Sequence, residues 1–306
     1  MEDVDYQNIK LKQWRIGPST FRAWPEVGAR LADWRIAVAG QEPRPVLHWP
    51  ENADVTKPAK IRGGNPILFP FVARTFDRGE IGFWKGPDGQ RRPMPMHGFA
   101  RDGKFTVTHM DKSGFTAVLE PSAAAREAYP YEYQFLVSYV FSELSFRVRL
   151  ELENRGSEQI PWCAGHHFYF SLPWHKGLKR GDYALRVPAR KAFHHAADGH
   201  LEPEKNVAPE STFADPGNVD LIRCKLKSNL VTFGPKSDEE NITIRHGVDP
   251  VPAPWASFVT WTENDQSPFY CVEPWMGMPN SPENEKGLHW VAPGAKGKFS
   301  VEVSLL

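Results

Sequence analysis

The chain has 306 residues, 41% of them hydrophobic, and its 37 Lys and Arg balance 37 Asp and Glu. Nothing in that balance recruits nucleic acid or an anionic membrane surface, and no apolar run approaches membrane-spanning length, so the expected partner is a small molecule. Three separated cysteines, Cys163, Cys224 and Cys271, form no CxxC pair, and the acidic start MEDVDYQNIK lacks the basic and apolar regions of a signal peptide; a soluble, cytoplasmic protein is expected.

The 28 prolines and 24 glycines predict many turns between short elements. Phe21 to Ala39 predicts two strands around a tight turn near Pro25 and Gly28, and Pro45 to Pro50 predicts another, with His48 packed or at the surface. In Ile61 to Phe71, IRGGNPILFPF, the paired glycines let the backbone approach something closely, but without GK[ST] it is no phosphate loop. Arg62 is its candidate, because a planar guanidinium can hold a hydroxyl pair or an anion in a fixed direction. Arg78 to Met94 reads as a long hairpin or loop of the kind that lines sites on β scaffolds, and it leads into HGFAR, where His97 and Arg101 share one short connection.

Strands then follow in quick succession. The clearest is the alternation of Leu144, Phe146, Val148, Leu150 and Leu152 with polar neighbours, a half-buried antiparallel strand. Ser122 to Tyr129 predicts one or two helical turns stopped by Pro130, and no long amphipathic helix appears, which argues against a βαβ fold. Trp162 to Pro173, WCAGHHFYFSLP, sets two histidines side by side. Neighbours on a strand point to opposite faces, so His166 sides with Phe168 and Phe170, while His167 shares a face with Tyr169 and is the site candidate.

Lys176 to Asn218 is polar and punctuated by Gly and Pro, and His194 and His195 within it are expected to face solvent. Asp220 lies where the next strand begins. FYCVEPW places Glu273 at the end of an apolar strand, where a carboxylate must be paired, protonated or lining a cavity. Phe299, Val301, Val303 and Leu305 close the chain as an alternating strand. With no repeat or linker, residues 1–306 are expected to form one all-β domain.

The ordered set GGNPILFP, HGFAR, His167-Phe168-Tyr169-Phe170 and Glu273 near the C-terminus resembles the aldose 1-epimerase (galactose mutarotase) family, and within it the hexose-6-phosphate 1-epimerase branch. The resemblance implies an antiparallel β-supersandwich, no cofactor, and interconversion of α and β anomers of a sugar or sugar phosphate by a monomer or weak dimer. It implies His167 as general acid, Glu273 as general base, and Arg62, His97, Arg101 and Asp220 as substrate-binding residues. Met96 departs from the Gln that commonly precedes HGFAR in the phosphate branch, and the loop before it is longer.

Anomer exchange asks one group to take the C1 hydroxyl proton and another to protonate the ring oxygen. A carboxylate and an imidazolium, with ordinary pKa values of about 4.3 and about 6.5, can hold opposite protonation states near neutrality. No metal is expected, since adjacent histidines on a strand cannot face one ion and no HxH or CxxC spacing occurs. The alternatives are a glycosidase, which needs a second carboxylate such as Asp220, and a non-catalytic carbohydrate-binding protein stacking sugars on Trp84, Trp174 and Trp275.

Overall fold

The computed structural model describes residues 1–37, 42–237, 239–249 and 251–306. Val38 and Ala39, at the end of the expected second strand, lie outside them. Two antiparallel sheets, one 13-stranded and one 9-stranded among the described residues, carry nearly all of the regular structure. The first begins with N-terminal hairpins, continues through Arg30–Ile36 and Arg44–Leu47, and then jumps in sequence to Tyr169–Ser171, Phe269–Trp275, Ser257–Trp261, Leu221–Leu226 and Ala189–His195. The second is built around Tyr133–Ser142, Ser145–Asn154 and Lys296–Leu305, the alternating runs legible in the sequence.

Alternation explains the packing. Along Ser145–Asn154, Phe146, Val148, Leu150 and Leu152 point into the space between the sheets and are fully buried, while Arg147 and Arg149 point out. The strand begins one residue later than expected, and Leu144 sits in the preceding turn, exposed. Between the sheets Trp14, Phe21, Trp34, Tyr139, Phe141 and Phe146 form one aromatic cluster with ring centroids 4.6 to 6.3 Å apart. Each large ring buried this way contributes roughly 1.5–3 kcal/mol through apolar transfer alone.

The helical turn Ala123–Ala128 is capped by Ser122, whose side chain accepts from the Ala125 N–H. The Arg78 to Met94 segment is two small hairpins, Phe76–Asp77 with Glu80–Ile81 and Phe83–Lys85 with Arg91–Pro93. Trp84 anchors them: it is buried and donates its indole N–H to the Ala128 carbonyl at 2.9 Å. The polar stretch from 176 to 218 holds four short strands, Tyr183–Arg186, Ala189–His195, Leu201–Glu204 and Glu210–Thr212. They lie toward the ends of the two sheets, where one face meets solvent and apolar alternation is weak.

Two glycine-bearing motifs meet at the centre. The Phe99 N–H donates to the Phe69 carbonyl at 2.9 Å, and the Phe69 N–H donates to the His97 carbonyl at 3.3 Å. That contact requires Gly98, whose φ is +71° and where a Cβ would lie 1.9 Å from the Phe69 oxygen. Gly64 is equally constrained, with φ +65° and the Leu31 oxygen 2.1 Å from any added Cβ. The pairing of the two motifs brings Arg62 and Arg101 to one cavity.

Candidate active site

The cavity has a volume of about 770 Å³ and opens on the face of the first sheet turned away from the second. His167, Tyr169 and Glu273 form its floor, with His97, Arg101, Trp261 and Trp275 around them. Tyr169–Ser171 and Phe269–Trp275 are hydrogen-bonded neighbours, with Tyr169 opposite Cys271, so residues a hundred positions apart become adjacent.

The two histidines of the GHHFYF segment separate as period 2 requires. His166 is fully buried on the core side, stacked on Phe168 and Phe299. His167 stacks on Tyr169 at 4.7 Å, and its Nε2 lies 3.4 Å from Glu273 Oε1. Asn65 positions both. Its Oδ1 accepts the His167 N–H at 3.3 Å, and its Nδ2 donates to His166 Nδ1 at 3.1 Å and to the Tyr139 hydroxyl at 2.7 Å.

Burial sets the electrostatics. The Glu273 side chain is only 2% exposed, and burial pushes its pKa well above the usual carboxylate range, against a smaller lowering by a hydrogen bond with the Trp275 side chain. Burial, with a smaller contribution from the Arg101 charge, pulls His167 down to about 3. Both shifts run toward the uncharged forms. His97 is held neutral by burial, then by His167 and the Arg101 and Arg74 charges. Its Nδ1 accepts the Ala73 N–H at 3.1 Å, leaving the other ring nitrogen to carry the proton.

The rim is polar. Lys60, Arg62, Arg74, His194, His195 and Asp220 line it. Arg62 pairs with Glu263 and lies over the Trp261 ring at 5.5 Å, while Asp77 and Glu80 of the loop before HGFAR are taken by Arg91. Neither Arg74 nor Arg101 forms an ion pair among the described residues. Burial raises the Asp220 carboxyl, against Arg74 and His194, which lower it. Ala73, His97 and Asp220 all have positive φ, +54°, +67° and +57°, a backbone strain gathered around one cavity.

The expectation that His194 and His195 face solvent is overturned. Both line the cavity, because the Ala189–His195 strand is recruited to the first sheet through pairing with Leu221–Leu226. Burial pulls His195 down to about 4, and its ring packs edge-on against Phe76. Trp84 and Trp174 are buried elsewhere and cannot stack on a sugar here; Trp275 lines the cavity, and Trp261, unforeseen, joins it. Asn65, Arg74 and Trp261 were also missed, and only the Asn inside GGNP offered a signal.

The architecture is that of galactose mutarotase-like proteins. A Synechocystis sp. PCC 6803 protein superimposes with a TM-score of 0.80 at 20% identity, covering 100% of this chain and 99% of that one. A galactose mutarotase related enzyme from Lactobacillus acidophilus does so with a TM-score of 0.77 at 20% identity, covering 97% of each chain. The plasmid LacX protein of Lactococcus lactis subsp. lactis is 26% identical over 247 residues, 74% of this chain and 78% of its own length. Residues 23–208 match the aldose 1-epimerase family model, and the chain belongs to that family.

Proposed function

We propose that the protein is a mutarotase that interconverts the α and β anomers of a hexose by ring opening, with Glu273 and His167 as the acid–base pair. One observation carries this reading: a buried carboxylate and an imidazole, 3.4 Å apart, share the floor of a sugar-sized cavity. Glu273 takes the C1 hydroxyl proton while His167 protonates the ring oxygen, and the C1–O5 bond opens to the aldehyde. Rotation about C1–C2 and reclosure, with the proton transfers reversed, give the other anomer. Burial weights both groups toward their uncharged forms, the forms in which the ring-opening step leaves them. Arg62, Arg101, His97 and Asp220 orient the sugar.

The finer reading is a 6-phosphorylated hexose. Arg101 and Arg74 line the cavity and form no ion pair among the described residues, and guanidinium groups form strong charge-assisted contacts with phosphate. Arg62, already neutralised by Glu263, contributes less. Anomer exchange followed by polarimetry or NMR, on free and 6-phosphorylated hexoses side by side, tests both levels. Exchange no faster than buffer on any hexose rejects the enzyme in favour of a binding protein; faster exchange on the free sugar rejects the phosphate.

A further inference from the structure

His167, Cys271 and Glu273 bring an imidazole nitrogen, a thiol and a carboxylate oxygen within 4.8 Å of one another. Cys271 and Glu273 are two apart on the strand Phe269–Trp275 and so share its cavity-side face, and Tyr169–Ser171 delivers His167 from the neighbouring strand. His167 Nε2 and Glu273 Oε1, the facing atoms of this cluster, lie 3.4 Å apart, and Cys271 and Glu273 are buried. Sequence spacing gave no sign of it, because the ligand atoms come from strands paired across a hundred residues.

We infer that this cluster is a binding site for a thiophilic divalent cation of the zinc type, and that the ion inhibits the protein by capturing its acid–base pair. Zinc takes nitrogen, sulfur and oxygen ligands in a tetrahedron with bonds of ~2.0–2.3 Å, which sets ligand atoms roughly 3.3–3.8 Å apart. The His167 Nε2 to Glu273 Oε1 distance of 3.4 Å already matches one edge. From separations of at most 4.8 Å the remaining edges must shorten by no more than about 1.5 Å. Three protein ligands leave the fourth position facing the cavity, open to water or a sugar hydroxyl. On binding, the thiol proton and the proton held by the Glu273–His167 pair leave to solvent. The 2+ charge is then balanced by one thiolate and one carboxylate, with the imidazole neutral. The captured atoms are those that would move protons in ring opening, so the loaded protein is silent.

The test is a calorimetric titration of the metal-free protein with zinc chloride, repeated with cobalt(II), whose thiolate charge-transfer absorption reports a bound sulfur. One ion per chain is expected, with a thiolate band, loss of anomer exchange in proportion to occupancy, and at least tenfold weaker binding in Cys271→Ser and Cys271→Ala. Both variants should retain anomer exchange within a few-fold and escape inhibition. Circular dichroism of each variant confirms that the sheet is intact. Unchanged affinity in both folded variants, absence of a thiolate band, or binding abolished instead by His200→Ala, which removes the exposed His200–Asp198–Glu202 cluster, would overturn the proposal. Affinity and spectrum are read independently of turnover, so a protein inactive on every hexose would still decide the metal site.

Discussion

The floor and the rim of the cavity are built by different means. The floor comes from two neighbouring strands, Tyr169–Ser171 and Phe269–Trp275, together with the His167 segment held by Asn65. Its ionisable groups are buried and shifted toward their neutral forms. The rim comes from loops and strand ends, and its pairs, such as Arg62 with Glu263, are close to half exposed. A proton-transfer site needs low dielectric and fixed geometry, whereas recognition of a solvated sugar needs groups that water can reach and exchange. On the proposed function the molecule separates these demands over one cavity.

The contrast breaks most visibly at the floor. Glu273→Gln and His167→Asn are each expected to slow anomer exchange by at least ~10², about 3 kcal/mol of barrier, with the far-ultraviolet spectrum unchanged. A well-folded variant within a few-fold of wild type would remove that residue from the chemistry. Arg101 lies between floor and rim. Its replacement by Ala should cost ~1.5–3 kcal/mol in kcat/KM on a hexose 6-phosphate and clearly less on the free sugar; equal losses would mean that Arg101 serves the ring and not the anion.

Acid separates buried from exposed groups in a third way. His166 and His167 are both pulled to about 3 by burial. Their folded pKa lies below the unfolded value of about 6.5, so the unfolded chain takes up protons first as the pH falls. Their contribution is complete above about pH 6.5 and is lost toward pH 3, on the order of 2 kcal/mol for each imidazole at pH 5. Denaturant melts at pH 7 and pH 5 measure it, and His166→Gln, if it folds, should flatten the slope. The smallest effect belongs to the rim: Arg62→Ala is expected to change kcat/KM by under ~1 kcal/mol, with the loss shrinking as salt is added. A large, salt-insensitive loss would move Arg62 into the floor's class.

Much of the floor was legible in the sequence, because period-2 alternation and the cost of an isolated carboxylate are local arguments. They were enough to separate His167 from His166 and to single out Glu273. The rim was less legible. Glu263 is two hundred residues from Arg62, and His194 reaches the cavity only because its strand joins the first sheet beside Leu221–Leu226. A polar segment with no apolar alternation carries no mark of which sheet it will extend. Asn65 shows a third kind of blindness: its side chain ties two histidines to Tyr139, a geometry that exists only once three distant segments have met.

The pairing of Tyr169–Ser171 with Phe269–Trp275 also bears on how the protein reaches its native state. Glu273 meets His167 only after the chain has closed a loop of about a hundred residues, and such non-local pairings are made at high entropic cost and late. Local hairpins such as Tyr133–Ser142 with Ser145–Asn154 can form well before that closure. During refolding, secondary structure and collapse should therefore return ahead of catalysis, and a nascent chain still lacking its last forty residues carries His167 without its carboxylate partner. The proposed ring-opening chemistry is in that sense a property of the completed topology.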